Sequence, residues 1–492
     1  MIHVTSNLVF LDVTVVDDKG KPVTKGLKRE DFTITEDKKP QRIFSFEAPE
    51  EHGAAASSDA DNPDGKAPVS IYILDTLNEA PEDIAYYRFE FDRYLKTLPA
   101  QLAAPAELLV VGNESLELVQ SYTRSRDELL TALHHVPATY PYKQAGASFG
   151  AERFVQSVDA IQQIALQNRG VAGRKNIFWL GEGGPAISRI WLSGNGVERL
   201  KQYTHETANM LVEERITLFV FYPGLKVRII SPQVVGGAFA TDGNPFSSDV
   251  SFGAIVNETG GSLYYNRNDI DAELARSERK GSQFYTLTYQ PADGVQDGKF
   301  RKIHVTLRQS YLHILTKAGY FAPDKDLPED PRRKGIQSLA EAARTTLPLT
   351  ALNLRMARVI RHPDAQTVEV SFLVPASKLQ WQKGDPGTSN TSVRIAAVGF
   401  SKSARTLVWK VQELALKTGT DDPQLLAKGV IPVFFTVSVP AKLQKMRIML
   451  EPSDESQIGA LDLTRQQIEA APEQPSASVA PVSQKPAGVG AQ

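Results

Sequence analysis

The sequence predicts an α/β domain, a mostly parallel sheet with helices on both faces, flanked by β-sandwich modules. Three observations predict it. Between residues 67 and 282 short apolar runs alternate with helical patterns, which implies a parallel sheet with crossover helices. The stretches on either side read as strands alone. In ILDTLNEAPED, 73 to 83, the run Val69-Ser70-Ile71-Tyr72-Ile73-Leu74 stops on Asp75, where open α/β sheets bind their ligands.

The elements follow in order. Val9, Leu11, Val13 and Val15 alternate as in a half-buried strand. Phe32–Thr35 and Arg42–Phe46 form a hairpin-like pair around EDKKP. Residues 1–48 are thus an N-terminal β segment. Neither it nor the strands of 283–322 can bury both faces alone, so the two are expected to pair as one sandwich around the α/β domain. Residues 49–66 are small, acidic and aperiodic, a linker. Asp59, Asp61 and Asp64 within it resemble a calcium loop, but Pro63 occupies a ligand position.

In 67–282 the strand candidates are 69–74, 107–112, 176–180, 216–222 and 262–265. Ile84, Tyr87, Phe91, Leu95 and Leu98 share one helix face, as do Phe154, Val158, Ile161 and Ala165, and then Val197, Leu200, Thr204, Thr207 and Leu211. Residues 323–344 read as a charged, proline-rich linker. Residues 345–455 carry TVEVSFLV, SVRIAAVGF, TLVWKVQEL, VFFTVSV and MRIML, a second sandwich. From about 468 to 492 the chain is rich in Pro, Ala, Ser and Gln, and disorder is expected.

The totals exclude several classes. At 492 residues the chain holds two to four domains. With 55 Lys+Arg against 57 Asp+Glu and no basic stripe interleaved with aromatics, it is no nucleic-acid binder. No run approaches the roughly 18 apolar residues of a membrane span. Cysteine is absent, which excludes disulfides, thiolate metal sites and cysteine nucleophiles but leaves the compartment open. The start, MIHVTSNLVF, lacks the pattern of a signal peptide, so the protein is cytoplasmic or an export segment is missing from this sequence.

Three sets of residues are chemical candidates. Asp75 and Glu182, which follows the strand Asn176–Leu180, project from the same sheet edge, and two carboxylates suffice for a hard cation that keeps its waters. The alternative is that Asp75 or Asn78 caps the helix opening near Pro81, with Glu82 and Asp83 on its dipole. Gly146-Ala147-Ser148-Phe149-Gly150 matches the G-x-S-x-G elbow of serine hydrolases, yet no strand leads into it; the alternative is a small-residue loop before a helix. None of the eight histidines forms a metal-spaced pair; His134 and His135 close a helix.

Several segments, in order, carry a resemblance: LVFLDVTVVDDKGKPVTKGLKREDFTITEDKKPQRIFSFE, ILDTLNEAPEDIAYYRFEFDRYLKTLP, GRKNIFWLGEGGP, and NETGGSLYYNRNDIDAELARSERKGSQFYTLTYQP with FRKIHVTLRQ. Over roughly 7–450 the chain resembles von Willebrand factor A-related domain proteins of the acidobacterial type. The resemblance implies a Rossmann-like A domain with a metal-ion-dependent adhesion site built from D-x-S-x-S, a distant Thr and a distant Asp. Asp75 matches the first Asp. Leu77 and Glu79 stand where the two serines belong, Ser148 where the Thr hydroxyl belongs, and Glu182 where the distant Asp belongs. The site is thus degenerate, with Asp75, Glu79, Ser148 and Glu182 as candidate ligands for weakly bound Mg²⁺ or Mn²⁺. Without a metal, three such acids repel one another and raise a pKa. Asp75→Ala is expected to remove divalent-ion stabilisation and spare the fold.

The resemblance further implies a non-enzymatic protein-interaction or adhesion module of the cell envelope, extracellular or periplasmic, with a protein partner. Its rivals are a scaffold without metal and a serine hydrolase using Ser148. Loops 75–81, 143–150, 181–196 and 223–250 are expected to converge on one face. They offer Tyr142, Phe149, Trp191 and Phe246 as aromatic anchors, beside Glu79. For Trp191 the alternative is packing onto the following helix.

Overall fold

The computed structural model describes residues 8–52, 67–113, 115–136, 147–185, 187, 195–222, 250–265, 268–292, 294–295, 297–322 and 331–475. They fall into two compact units: residues 1–165 with 171–328, and residues 329–492 with 166–170.

The first unit opens with β1 (Val9–Val16), β2 (Phe32–Glu36), β3 (Lys39–Gln41) and β4 (Ile43–Glu47). The α/β domain follows: β5 (Val69–Asp75), α1 (Pro81–Thr97), β6 (Gln101–Val111), β7 (Leu116–Ser125), α2 (Arg126–His135), α3 (Ala147–Gln167), β8 (Lys175–Leu180), α4 (Gly196–Glu213), β9 (Ile216–Tyr222), α5 (Phe252–Glu258), β10 (Ser262–Tyr265) and α6 (Ile270–Ser282). The chain then returns to strands, β11 (Tyr285–Tyr289), β12 (Phe300–Leu307), β13 (His313–Leu315) and β14 (Gly319–Phe321).

The domain's sheet has the order β10-β9-β8-β5-β6-β7, parallel except for β7, which pairs antiparallel with β6. Its central strands β5 and β8 are buried on both faces, so they read as continuous apolar runs. On one face Tyr72, Leu74, Phe178, Leu180 and Phe221 pack under α1, α2 and α6 through Tyr87, Phe91, Leu129 and Leu274. β7 and the first half of β6 were absent from the predicted strands, because Gln101–Pro105 and Leu116–Ser125 lack clean alternation. The register between the two strands shifts three times.

The segments before and after this domain interleave. One sheet has the order β13-β1-β11-β4 and the other β14-β12-β2-β3. β11 pairs with β1 on one side and β4 on the other, and β12 pairs with β2. Inward-facing Leu11, Val13, Val15, Phe32, Ile34, Tyr285, Leu287, Tyr289, Ile303 and Val305 form the core between the sheets. The outer face of the first sheet carries Asp12, Thr14 and Thr286. Arg215, just before β9, places its Nη2 2.5 Å from Asp12 Oδ1 and its Nε 3.2 Å from Oδ2. Arg174, just before β8, donates to Thr14 Oγ1 at 3.3 Å. The sandwich is thereby tied to the lower edge of the α/β sheet.

The second unit contains α7 (Pro331–Arg344), β15 (Arg355–His362), β16 (Thr367–Pro375), β17 (Gln382–Lys383), β18 (Ser389–Phe400), β19 (Thr406–Thr418), α8 (Pro423–Lys428), β20 (Val430–Ser438), β21 (Lys445–Pro452), β22 (Gly459–Thr464) and α9 (Arg465–Glu469). The sheets β15-β16-β20 and β17-β18-β21-β22, with β19 on β18, enclose Val368, Val370, Phe372, Val393, Ile395, Val433, Phe435, Ile448 and Leu450.

Two boundaries need correction. The stretch 323–344 is not all linker: from Pro331 it is α7, whose Leu339, Ala342 and Ala343 pack with Ala396, Val398 and Met449. Its small apolar face is masked in sequence by the charges of Arg332, Arg333 and Lys334. Disorder does not begin at 468. Ile468 is buried, and Pro472–Gln474 pair with Arg361 of β15 through backbone hydrogen bonds of 2.9 Å. Residues 49–52 of the proposed linker form a short 3₁₀ turn. Residues 53–66, with the acidic loop 59–64, and the tail 476–492 lie outside the described residues. No helix among the described residues is long and apolar enough to cross a membrane.

Candidate functional site

β5 is flanked by β6 on one side and β8 on the other, so the order of the sheet reverses at β5 and opens a crevice at the carboxyl ends of β5 and β8. Asp75 is the last residue of β5 and fully buried. Its carboxylate is surrounded by donors. Oδ1 accepts the backbone N–H of Leu77 and of Asn78, both at 3.0 Å. The Asn78 side-chain amide lies 3.2 Å from Oδ1 and 2.9 Å from Oδ2. Oδ2 also accepts the Trp179 indole N–H at 3.1 Å and the Gly183 backbone N–H at 3.0 Å. Burial pushes the Asp75 carboxyl up, against the pull of the hydrogen bonds from Asn78, Gly183 and Trp179.

The sequence LGEGGP is built for this approach. Gly181 has φ +143, and a Cβ there would stand 2.3 Å from that of Asp75. Gly183 has φ +73, and a Cβ would stand 2.2 Å from the Phe252 ring. Only glycine lets this loop both turn and close onto the carboxylate. Phe252 in turn packs on Trp179, ring centroids 4.8 Å apart, and holds the indole toward Asp75. Asn78 also donates to Ser157 Oγ of α3 at 3.0 Å.

Glu79 is buried, and its Oε1 accepts the Glu182 backbone N–H at 2.5 Å. Burial, followed by the charges of Asp75 and Glu182, raises its carboxyl well above the usual range. The expected repulsion among the three acids is therefore present, second to desolvation. Glu182 itself is half-buried. Leu77, at a serine position of the adhesion motif, is buried in the core.

The helix-cap alternative does not describe this loop. The residue before α1 is Ala80, with no side-chain cap, and Pro81 opens the helix. Asp75 and Asn78 bond to each other instead, while Glu82 and Asp83 do lie in the first turn. The hydrogen bonds on Asp75 argue against the expected mildness of Asp75→Ala. That substitution would strip donors on Leu77, Asn78, Trp179 and Gly183 of their buried acceptor, a costly loss.

Ser148 and Phe149 lie in the first turn of α3, not in a loop between strand and helix as a nucleophile elbow requires. The side chain of Ser148 lies outside the described residues; Phe149 is half-buried. Tyr142, Trp191 and Phe246 also lie outside them, as do residues 143–146, 186, 188–194 and 223–249 of the loops. Two of these loops touch at described residues: Ile187 and Val250 exchange backbone hydrogen bonds of 2.8 and 2.9 Å.

The donors do not fit a divalent cation. Both oxygens of Asp75 are engaged by N–H groups, and among the described residues no group of three His, Cys, Asp or Glu side chains is placed to hold a metal ion. Sequence reading missed Asn78, Trp179, Gly183 and Ser157 as parts of this site. Trp179 carried a signal: a large indole at the last but one position of a central strand needs a buried acceptor.

No protein-family model and no curated protein matches the chain. Similar solved structures include proximal thread matrix protein 1 from the mussel byssus, 11% identical over 47% of this chain, TM-score 0.26. This chain covers 48% of that protein, about half its length. Others are the SpRpn10 VWA domain, 14% identical over 44% of this chain and 97% of its own, TM-score 0.25, and the manganese-loaded Plasmodium vivax TRAP protein, 10% over 52% and 96%, TM-score 0.25. At such scores the likeness carries no argument. The structure itself shows a mostly parallel α/β sheet with a strand-end aspartate at its reversal point.

Proposed function

We propose that the chain is a non-enzymatic protein-interaction or adhesion module, and that it binds its partner on the face formed at the carboxyl ends of β5 and β8. One observation carries the reading: a single buried carboxylate, Asp75, gathers the loop after β5, the end of β8 and the loop after it into one fixed platform. Loops held rigidly at a sheet edge are where such scaffolds place recognition. The family resemblance supports a location outside the cytoplasm, in the envelope or beyond it.

The test uses the full chain immobilised against an extract of the cell envelope. Glu82, exposed at the start of α1, and Glu182 lie at the rim of this face. Reversing both, Glu82→Arg with Glu182→Arg, should reduce retention of any captured protein at least tenfold. Reversal of exposed Glu30 in the sandwich should leave it unchanged. Equal retention by both variants removes the face from the reading. Covalent labelling of Ser148 by a fluorophosphonate would replace the reading with a hydrolase.

A further inference from the structure

The crevice at the end of β5 has the position of a cation site and the wiring of something else. A carboxylate offers about four lone-pair positions. Asp75 receives six N–H contacts, three on each oxygen. Two of them, from Leu77 and Asn78 backbone, are local to the loop. The decisive two come from across the crevice: the Trp179 indole and the Gly183 backbone N–H both converge on Oδ2. An indole nitrogen is a donor only, so it cannot be turned into a ligand by rotation. Trp179 is fully buried and pinned by Phe252, so it cannot swing away. A cation approaching Oδ2 would meet the positive ends of these dipoles.

The neighbouring acids do not change this. The described oxygen contact of Glu79 is to the Glu182 N–H. The two serine positions of the motif hold Leu77, which is buried in the core, and Glu79; the third hydroxyl position holds Ser148, whose side chain lies outside the described residues.

We propose that hydrogen-bond donors replace the cation in this protein. Trp179, Asn78 and Gly183 hold Asp75, and through it the strand-end loops, in one arrangement that needs no Mg²⁺ or Mn²⁺. The crevice is then a cation-independent clasp, set permanently in the state that a metal would otherwise have to induce. The proposal concerns the clasp itself and does not depend on what the face binds.

The experiment is a Mn²⁺ titration of the full chain, read by the loss of the free-ion paramagnetic resonance signal. It is paired with melting curves in millimolar Mn²⁺, in millimolar Mg²⁺ and in a chelator. The wild type should take up no stoichiometric Mn²⁺, and the three melting temperatures should agree within about 1 °C, as expected when nothing binds the native state. Trp179→Phe keeps the ring and removes the N–H; it should lower the melting temperature equally in Mn²⁺ and in chelator. Saturable uptake of one Mn²⁺ per chain that Asp75→Asn abolishes would overturn the proposal. So would a Trp179→Phe protein that melts like the wild type, since the indole would then hold nothing. The wild-type titration stands even if a variant fails to fold.

Discussion

Substituting Asp12 by alanine tests how the α/β domain is tied to the sandwich that encloses it. Asp12 sits on the outer face of the β13-β1-β11-β4 sheet. It accepts Arg215 through both guanidinium contacts and the Thr286 hydroxyl at 2.9 Å. Its side chain is 11% exposed and that of Arg215 is 22% exposed. Arg174 is buried close by and rests 5.1 Å from the Phe284 ring. Breaking a buried pair by removing one partner costs about 3–5 kcal/mol, because the other charge stays buried and unpaired. The partial exposure of Arg215 lets water in, so the lower end, about 3 kcal/mol, is expected. For a unit of this size, whose unfolding entropy scales with its length, that lowers the melting temperature by about 4–5 °C. Differential scanning calorimetry at neutral pH reads it as a shift of the first unit's transition. Asp12→Leu with Arg215→Met should recover most of the loss, since an apolar pair removes the stranded charge. Burial raises the Asp12 carboxyl, but Arg215 outweighs it through charge and hydrogen bond, with Arg174 adding to the effect, and holds it below the usual range. Its contribution is therefore present above the unfolded value of about 3.9 and lost as pH falls through the lower folded value. The gap between wild type and Asp12→Ala should close only in strong acid. A loss under about 1 kcal/mol, the value of a surface pair, would refute the reasoning.

Two further outcomes are expected. Burial pushes the Glu278 carboxyl up to about 7 on α6, where Ser70 Oγ lies 3.4 Å away. This raised group contributes stability below about pH 4.3 that is lost as pH rises through 7, so Glu278→Gln should gain roughly 1–3 kcal/mol over wild type at pH 8 and nothing at pH 4. Urea midpoints at both pH values check it, and a gap that does not change with pH would contradict it. In the second unit, Arg447 is buried, with both guanidinium contacts to Asp462 at 2.8 Å, and it donates to the carbonyls of Ala342, Thr345 and Leu347 at the end of α7. Arg447→Met should cost about 3–5 kcal/mol by leaving those carbonyls unpaired, while Asp462→Asn, which replaces a 36% exposed acid with a neutral acceptor, should cost much less. Thermal unfolding of the two variants side by side separates them.

What could be read in advance follows the strength of local pattern. β5, β8 and β9 were legible because strands buried on both faces leave unbroken apolar runs. The interleaving of 1–48 with 283–322 followed from counting strands that lacked a second layer. β7 was not legible, because an edge strand with a shifting register has mixed burial and no clean period. α7 was hidden because its buried side chains are mostly alanine. At the site, Asp75 stood out where an apolar run stops, whereas its partners did not. Trp179 looks like one more apolar strand residue, and Gly183 acts through its backbone alone. Which atoms a buried carboxylate collects is decided by folding, across 104 residues in the case of Trp179.

The interleaved sandwich imposes an order of assembly. β1 and β4 leave the ribosome first, but β11, the strand that lies between them, comes after the entire α/β domain. Closing a loop of roughly 240 residues by chance costs on the order of 5 kcal/mol in entropy. The α/β domain removes that search. At its entrance Val69 N–H bonds to Arg174 O, and at its exit Gly281 O accepts from Asn176, so both ends lie against the first residues of β8. Once the domain has folded, β11 emerges beside the strands that await it. The first four strands must still wait through about 12–50 s of synthesis at ordinary rates, with Leu11, Val13 and Ile34 uncovered. A chain interrupted before Tyr285 would carry an open half-sandwich, whose bare edges invite pairing with other chains.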